Sequence, residues 1–335
     1  MNDVHIEHGT TLRLGEARIT FQRTLRIPDD GRSYPLPPGL GCFPLRRVAD
    51  YAARVPDGWA AKGGVFLPMY QREAMWLSFG GAGPHALKVG IGKVCAVSGE
   101  PWRDGLRSSP QDYVVTGAQP WLDGIASDEG TIRQFVAMPL GMGYTVEAQV
   151  TGEETHGGIQ LQAYAPKPGR LVGRDRLSRG AVFELACAGP PPACSAPTPR
   201  RRIGAMGLAA GGRMKQKVYP DPHGLDTWDL DASARVFVHI VNSELWREIT
   251  GEEPPATPVT ARSYASAGLP WFELYDERAP TLAPTETLAK IKSVKELDAD
   301  KFGSVLQDDA PVSPGPIRKL LHAGLDELRV SDGEW

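Results

Sequence analysis

Three short segments carry residue types that could do chemistry. The densest covers residues 221–231, Asp-Pro-His-Gly-Leu-Asp-Thr-Trp-Asp-Leu-Asp. There Asp221, Asp226, Asp229 and Asp231 could offer oxygen ligands to a hard divalent cation such as Ca²⁺. The spacing is not that of an EF-hand, which alternates its acidic ligands and needs a glycine at the sixth position. Aspartate and glycine are also ordinary turn formers, which is the plainer reading. The second segment, residues 153–158 (Glu-Glu-Thr-His-Gly-Gly), sets glutamates beside His156. The types suit an acid/base pair, but no frame such as HExxH fixes their geometry, so a solvated turn explains them as well. The third is Trp121-Leu122-Asp123-Gly124. A ring that stacks and a carboxylate that bonds hydroxyls suit a sugar, although a tryptophan is more often a core anchor. Trp121, Asp123 and His156 are therefore the candidate ligand-binding residues, and the four aspartates are the candidate metal ligands. No residue is assigned a catalytic role.

Other motifs carry less. Gly90-Ile91-Gly92-Lys93 lacks the frame and the following Ser/Thr of a phosphate loop, and reads as glycine in a bent strand. No serine lies in a GxSxG elbow. The seven histidines show no paired metal spacing, and His239, inside Val-Phe-Val-His-Ile-Val, reads as a core histidine.

The elements that must position these residues are short. Glycine (38) and proline (30) together make about a fifth of the 335 residues, against roughly 12% in an average protein. With 41% hydrophobic residues and eight tryptophans there is enough to bury a core. This composition excludes a helical bundle and a coiled coil, and points to many short strands joined by turns. Strands are expected over 11–27, 65–70, 74–79, 86–97, 113–116, 132–138, 159–164 and 236–241, with two more around Gly211-Gly212. A helix is expected over 43–55, ended by Pro56-Asp57-Gly58. Helical stripes are expected over 287–297 and 317–328.

The tetrapeptide Thr-Gly-Glu-Glu occurs at 151–154 and again at 250–253. In both places a short helix is expected to end on its glycine, with Thr145 capping the first and Asn242 or Ser243 the second. A diverged duplication and two independent uses of one helix stop both account for this echo.

The chain divides into a β-rich domain (1–188), a Pro-rich linker or long loop (189–202), a strand-helix subdomain (203–280) and an amphipathic tail (281–335). A net charge of −3 argues against a nucleic-acid binder, which needs a basic face. Four cysteines without a CxxC pair read as reduced thiols of a cytoplasmic protein. The N-terminus lacks the pattern of a signal peptide, and no stretch reaches the roughly 18 consecutive apolar residues of a membrane helix.

Long stretches resemble a family found in actinobacteria and other bacteria, with fungal relatives. They are residues 21–48 (FQRTLRIPDDGRSYPLPPGLGCFPLRRV), 63–79 (GGVFLPMYQREAMWLSF), 120–154 (PWLDGIASDEGTIRQFVAMPLGMGYTVEAQVTGEE), 206–229 (MGLAAGGRMKQKVYPDPHGLDTWD) and 267–276 (AGLPWFELYD). The resemblance spans roughly residues 19–297. It implies no particular activity and marks no catalytic residue. Some relatives carry the label "integral membrane protein", which the hydropathy of this chain contradicts.

The expectation is a β-rich α+β fold of mostly antiparallel short strands, a few short helices and a helical C-terminal tail. The leading functional reading is a soluble, non-enzymatic binding or assembly protein whose partner is a protein or small ligand, with self-association into a homo-oligomer as one form. The alternatives are a carboxylate- or metal-dependent hydrolase, and a peripheral membrane-acting or pore-forming protein. No cofactor is expected beyond a divalent cation such as Ca²⁺.

Overall fold

The structure is a computed structural model that describes residues 3–171, 204–273, 280–303 and 310–319. Its strands are β1 (Val4–Glu7), β2 (Thr11–Leu14), β3 (Ala17–Thr24), β4 (Ser33–Tyr34), β5 (Gly39–Cys42), β6 (Arg46–Arg47), β7 (Val65–Met69), β8 (Ala74–Gly81), β9 (Ala86–Ile91) and β10 (Val94–Cys95). They continue with β11 (Val114–Val115), β12 (Trp121–Leu122), β13 (Gly124–Asp128), β14 (Thr131–Pro139), β15 (Ile159–Pro166), β16 (Ala205–Lys215), β17 (Trp228–Asn242), β18 (Trp271–Glu273) and β19 (Ile317–Lys319). The helices are α1 (Asp57–Lys62), α2 (Val146–Thr151), α3 (Ser243–Thr250), α4 (Ala261–Ser266), α5 (Glu286–Ala289) and α6 (Val294–Phe302). The β-rich fold of many short, mostly antiparallel strands and few short helices is the one the composition predicts.

Seventeen of these strands form one sheet. β3 pairs along its whole length with β8, β8 with the middle of β14, and β14 with β16. β17 ties the rest together. Its first part pairs antiparallel with β15, and its last residues pair with the start of β16. Its end also runs parallel to β7, with Val238 opposite Val65. β15 continues the sheet to β9. The inward residues of these strands, among them Leu12, Phe21, Leu77, Val89, Phe135, Leu161, Leu208 and Val238, make one core. Alternation of inward apolar side chains along each strand builds this face.

Both Thr-Gly-Glu-Glu segments end helices in the same way. Thr145 caps α2 by accepting from the Ala148 N–H, and Asn242 caps α3 by accepting from the Glu244 N–H. Gly152 and Gly251 close them in the left-handed conformation, at φ +80° and +76°. In each copy the threonine hydroxyl accepts the N–H two residues on, Glu153 in one and Glu252 in the other. The glutamates then diverge. At the last position of the copies, Glu154 accepts the N–H groups of Gly143 and Thr145, whereas Glu253 pairs with Arg247 of α3.

Several boundaries differ from the sequence expectation. The predicted helix over 43–55 is the strand β6 followed by a single 3-10 turn, Val48–Tyr51. Pro56, read as a stop, is instead the cap before α1, a position where its missing N–H costs nothing. The predicted strand over 86–97 is a hairpin, β9 and β10, with Gly92-Lys93 as its two-residue turn. The glycine pair 211–212 does not divide a hairpin, since β16 runs straight through it. A Cβ on Gly212 would lie 2.4 Å from the Pro28 carbonyl oxygen, so Gly212 admits a crossing segment, while a Cβ on Gly211 would meet Val136 at 2.6 Å. The helical stripe over 287–297 is two helices, α5 and α6, and residues 317–319 are the strand β19. Cys187, Cys194, the 189–199 linker and residues 320–328 lie outside the described residues. The sheet joins β14 and β15, before the 189–202 segment, to β16 and β17 after it. Among the described residues no helix is long and apolar enough to cross a membrane.

Candidate functional site

An open groove of about 970 Å³ lies where β6, the end of α1, the β9–β10 turn and β17 meet. Its lining is rich in basic side chains: Arg46, Arg47, Lys62, Lys93, Arg235 and His156. Trp102 and Phe237 supply aromatic walls. The arginines are engaged. Arg46 holds Glu252 and Arg47 holds Asp50, at 2.5 and 2.8 Å, and Arg235 lies 3.6 Å from Asp104. The lysines face rings instead, Lys62 Nζ 4.9 Å from the Phe237 ring centre and Lys93 Nζ 5.6 Å from that of Trp102. Neither lysine forms an ion pair among the described residues. Partial burial holds both amines below the usual lysine range; Asp104 opposes the effect at Lys93, and Glu147 opposes it at Lys62.

The local chain holds these groups firmly. Gly92 and Lys93 both take positive φ, +58° and +63°, which a two-residue hairpin turn demands. A Cβ on Gly92 would meet Glu147 Oε2 at 2.4 Å, so that position must be glycine. Lys93 is not a glycine, yet it is held there: its N–H donates to Gln160 Oε1 at 2.6 Å, and its carbonyl accepts from the Trp102 N–H at 2.7 Å. Trp102 rests over Gly90, where a Cβ would lie 2.6 Å from the indole. A second lysine, the buried Lys88, lies on the same indole at 5.2 Å but is fully used. Its Nζ donates to the Arg103 and Gly105 carbonyls and pairs with Asp112 at 2.7 Å.

The far side of the groove is ordered by Glu147. Its carboxylate accepts the N–H groups of Thr155, His156 and Gly157 at 3.0, 2.8 and 2.7 Å. These bonds set His156 on the rim, exposed, with its pKa lowered by partial burial and then by Lys62. Glu154 is spent on Gly143 and Thr145 rather than facing the histidine. Behind the groove, His239 stacks between Phe237 and Trp59 at 4.3 and 4.4 Å and bonds the Gly63 carbonyl. Burial lowers its pKa to about 4, as befits a core histidine.

Of the residues singled out from the sequence, only His156 lines this groove. Trp121 lies half-buried on β12, edge-on to Trp76 at 6.5 Å. Asp123 is buried after β12; Gln216 Nε2 donates to its carboxylate at 2.5 Å, and burial raises its pKa to about 7. Asp221 organises its loop. Its Oδ2 accepts from the Tyr113 hydroxyl at 2.6 Å and the Trp228 indole at 2.8 Å, and its Oδ1 from the His223 N–H at 2.7 Å. Asp226 is exposed on a 3-10 turn, while Asp229 and Asp231 lie on β17, Asp229 accepting the Asp231 and Ala232 N–H groups. Among the described residues no three His, Cys, Asp or Glu side chains are grouped to hold a metal ion.

Sequence reasoning missed Lys62, Trp102, Arg235 and Phe237, which are scattered along the chain. It noticed Lys93 only as a poor match to a phosphate loop. Comparison with protein-family models, with curated proteins and with solved structures gives no match.

Proposed function

We propose that this is a binding protein for a small organic anion, one with a carboxylate or phosphate and a flat apolar part, taken up in the groove between Trp102 and Phe237. The observation that carries the reading is the pair Lys62 and Lys93. Both are cations on aromatic faces, in a recess whose arginines already have carboxylate partners. Partly desolvated ammonium groups with no ion-pair partner among the described residues favour an incoming anion, and a ring beside each favours a flat ligand. The overall charge of −3 gives no hint of this, because five Lys and Arg side chains line this one groove.

Titration calorimetry with benzoate tests the reading. Saturable binding that weakens at high salt is expected, and the double variant Lys62→Gln/Lys93→Gln should lose at least about tenfold in affinity, the equivalent of one charge-assisted contact. Unchanged affinity in that variant would remove the groove from consideration.

A further inference from the structure

The two lysines differ in how they are held, and Lys93 is the one the fold constrains. It occupies the second position of a two-residue turn at positive φ, a conformation that residues other than glycine rarely adopt. Gln160 fixes its N–H, while the Gln160 amide donates in turn to the Gly157 carbonyl at 3.0 Å. Strained backbone that its surroundings hold in place concentrates at functional positions. The comparison with Lys88 is informative, since both amines lie on the same indole. Lys88 has two carbonyls and a carboxylate around its Nζ, so its amine is fully committed. Among the described residues the Lys93 Nζ has no hydrogen-bond or ion-pair partner, only the Trp102 ring at 5.6 Å, and it opens on the groove. Lys62, Arg235 and His156 line the same recess, so an anion drawn in there by Lys62 and Arg235 also meets the Lys93 amine.

Resting on the anion-binding reading above, we infer that Lys93 is a nucleophile that forms a reversible imine with carbonyl-bearing organic anions, 2-oxo acids above all. The Nζ lone pair adds to the ligand's carbonyl carbon, and the C=O π electrons move to oxygen. The two protons lost from nitrogen leave with that oxygen as one water, and C=N replaces C=O. Nothing is oxidised or reduced. Lys62 holds the carboxylate next to the reacting carbonyl. His156 offers a neutral imidazole for the proton transfers, and the partial burial that lowers the Lys93 amine supplies the unprotonated form the addition needs.

Phenylpyruvate is a probe that carries the ring, the carboxylate and the ketone together. The whole protein is incubated with it and sodium cyanoborohydride, whose hydride reduces any imine to a stable secondary amine, and peptide mass spectrometry locates the adduct. A single adduct at Lys93, well above the background on exposed lysines, is expected because the groove gathers the oxo acid beside this amine. Lys93→Arg keeps a positive charge at the turn but has no amine able to form the imine, so it should lose the adduct. An adduct spread evenly over the lysines, or undiminished in Lys93→Arg, overturns the inference. Benzoate binding with no adduct at Lys93 overturns the imine alone, whereas failure to bind benzoate as well overturns both readings.

Discussion

Asp123 shows how one residue type changes meaning with its surroundings. Its sequence setting, beside a tryptophan and a glycine, suits a ligand contact, yet the carboxyl is enclosed and bonded by Gln216. Burial raises its pKa to about 7, against about 3.9 in an unfolded chain. The folded state therefore prefers the protonated acid. Its contribution to stability is complete below pH 4 and is lost as pH rises toward 7. Asp123→Asn removes this dependence. Urea unfolding at pH 4 and pH 8 should show the variant gaining on the parent at the higher pH by on the order of 3 kcal/mol. His239, lowered to about 4, acts with the opposite sign over pH 4–6.5, but it is common to both proteins and cancels in the comparison. Equal pH slopes for the two proteins would mean that the acid is not held neutral.

Glutamines do at the scale of elements what the sequence does not announce. Gln111, Gln119, Gln134, Gln149 and Gln160 each accept a main-chain N–H through Oε1 and donate to a main-chain carbonyl through Nε2. A side-chain amide has the donor and acceptor of a peptide group, so these residues extend pairing into the loops between short strands. Gln160 uses this to set the β9–β10 turn that carries Lys93. The turn itself depends on Gly92. Gly92→Ala combines the strain of positive φ with a Cβ 2.4 Å from Glu147, and should lower unfolding free energy by about 2–4 kcal/mol. Gly15, at φ +58° in the β2–β3 turn, has open space around it, so Gly15→Ala should cost only about 1 kcal/mol. Equal denaturation midpoints for the two variants would show that Glu147 yields freely.

At the scale of the whole molecule, the sheet does not respect chain order. β17 is bonded to β15, β16 and β7, from three separate stretches, and its inward residues belong to the same core as β2, β3 and β8. The C-terminal helices also dock on this body. Asp298 of α6 takes both guanidinium nitrogens of Arg72 at 2.8 and 2.9 Å and the Tyr144 hydroxyl at 2.7 Å, and Val294 is buried beside Tyr144. Thermal unfolding should therefore be one cooperative transition, with amide exchange in β16 and β17 as slow as in β3 and β8. Two resolved transitions, or early exchange confined to β16 and β17, would contradict a shared core. Asp298→Ala should shift that single transition downward by a few kcal/mol, because it leaves Arg72 without its buried partner.

The sequence by itself determined the class of fold and its punctuation. Glycine and proline content, the apolar runs over 65–69 and 74–79, the alternation over 159–164, and the caps and stops at Thr145, Gly152, Asn242 and Gly251 are local properties, set by backbone sterics and by which side chains can satisfy a helix end. The core role of His239 was also legible, because its neighbours are all apolar. Only the tertiary structure decided the rest. The glycine pair 211–212 signals a turn locally but serves the close approach of Pro28 and Val136, and Gly90-Ile91-Gly92-Lys93 becomes a hairpin because β15 supplies Gln160 and α2 supplies Glu147. The groove gathers Lys62, Lys93, Trp102, His156 and Phe237 from far apart in the chain. Long-range strand pairing creates such proximity, and no local pattern encodes it.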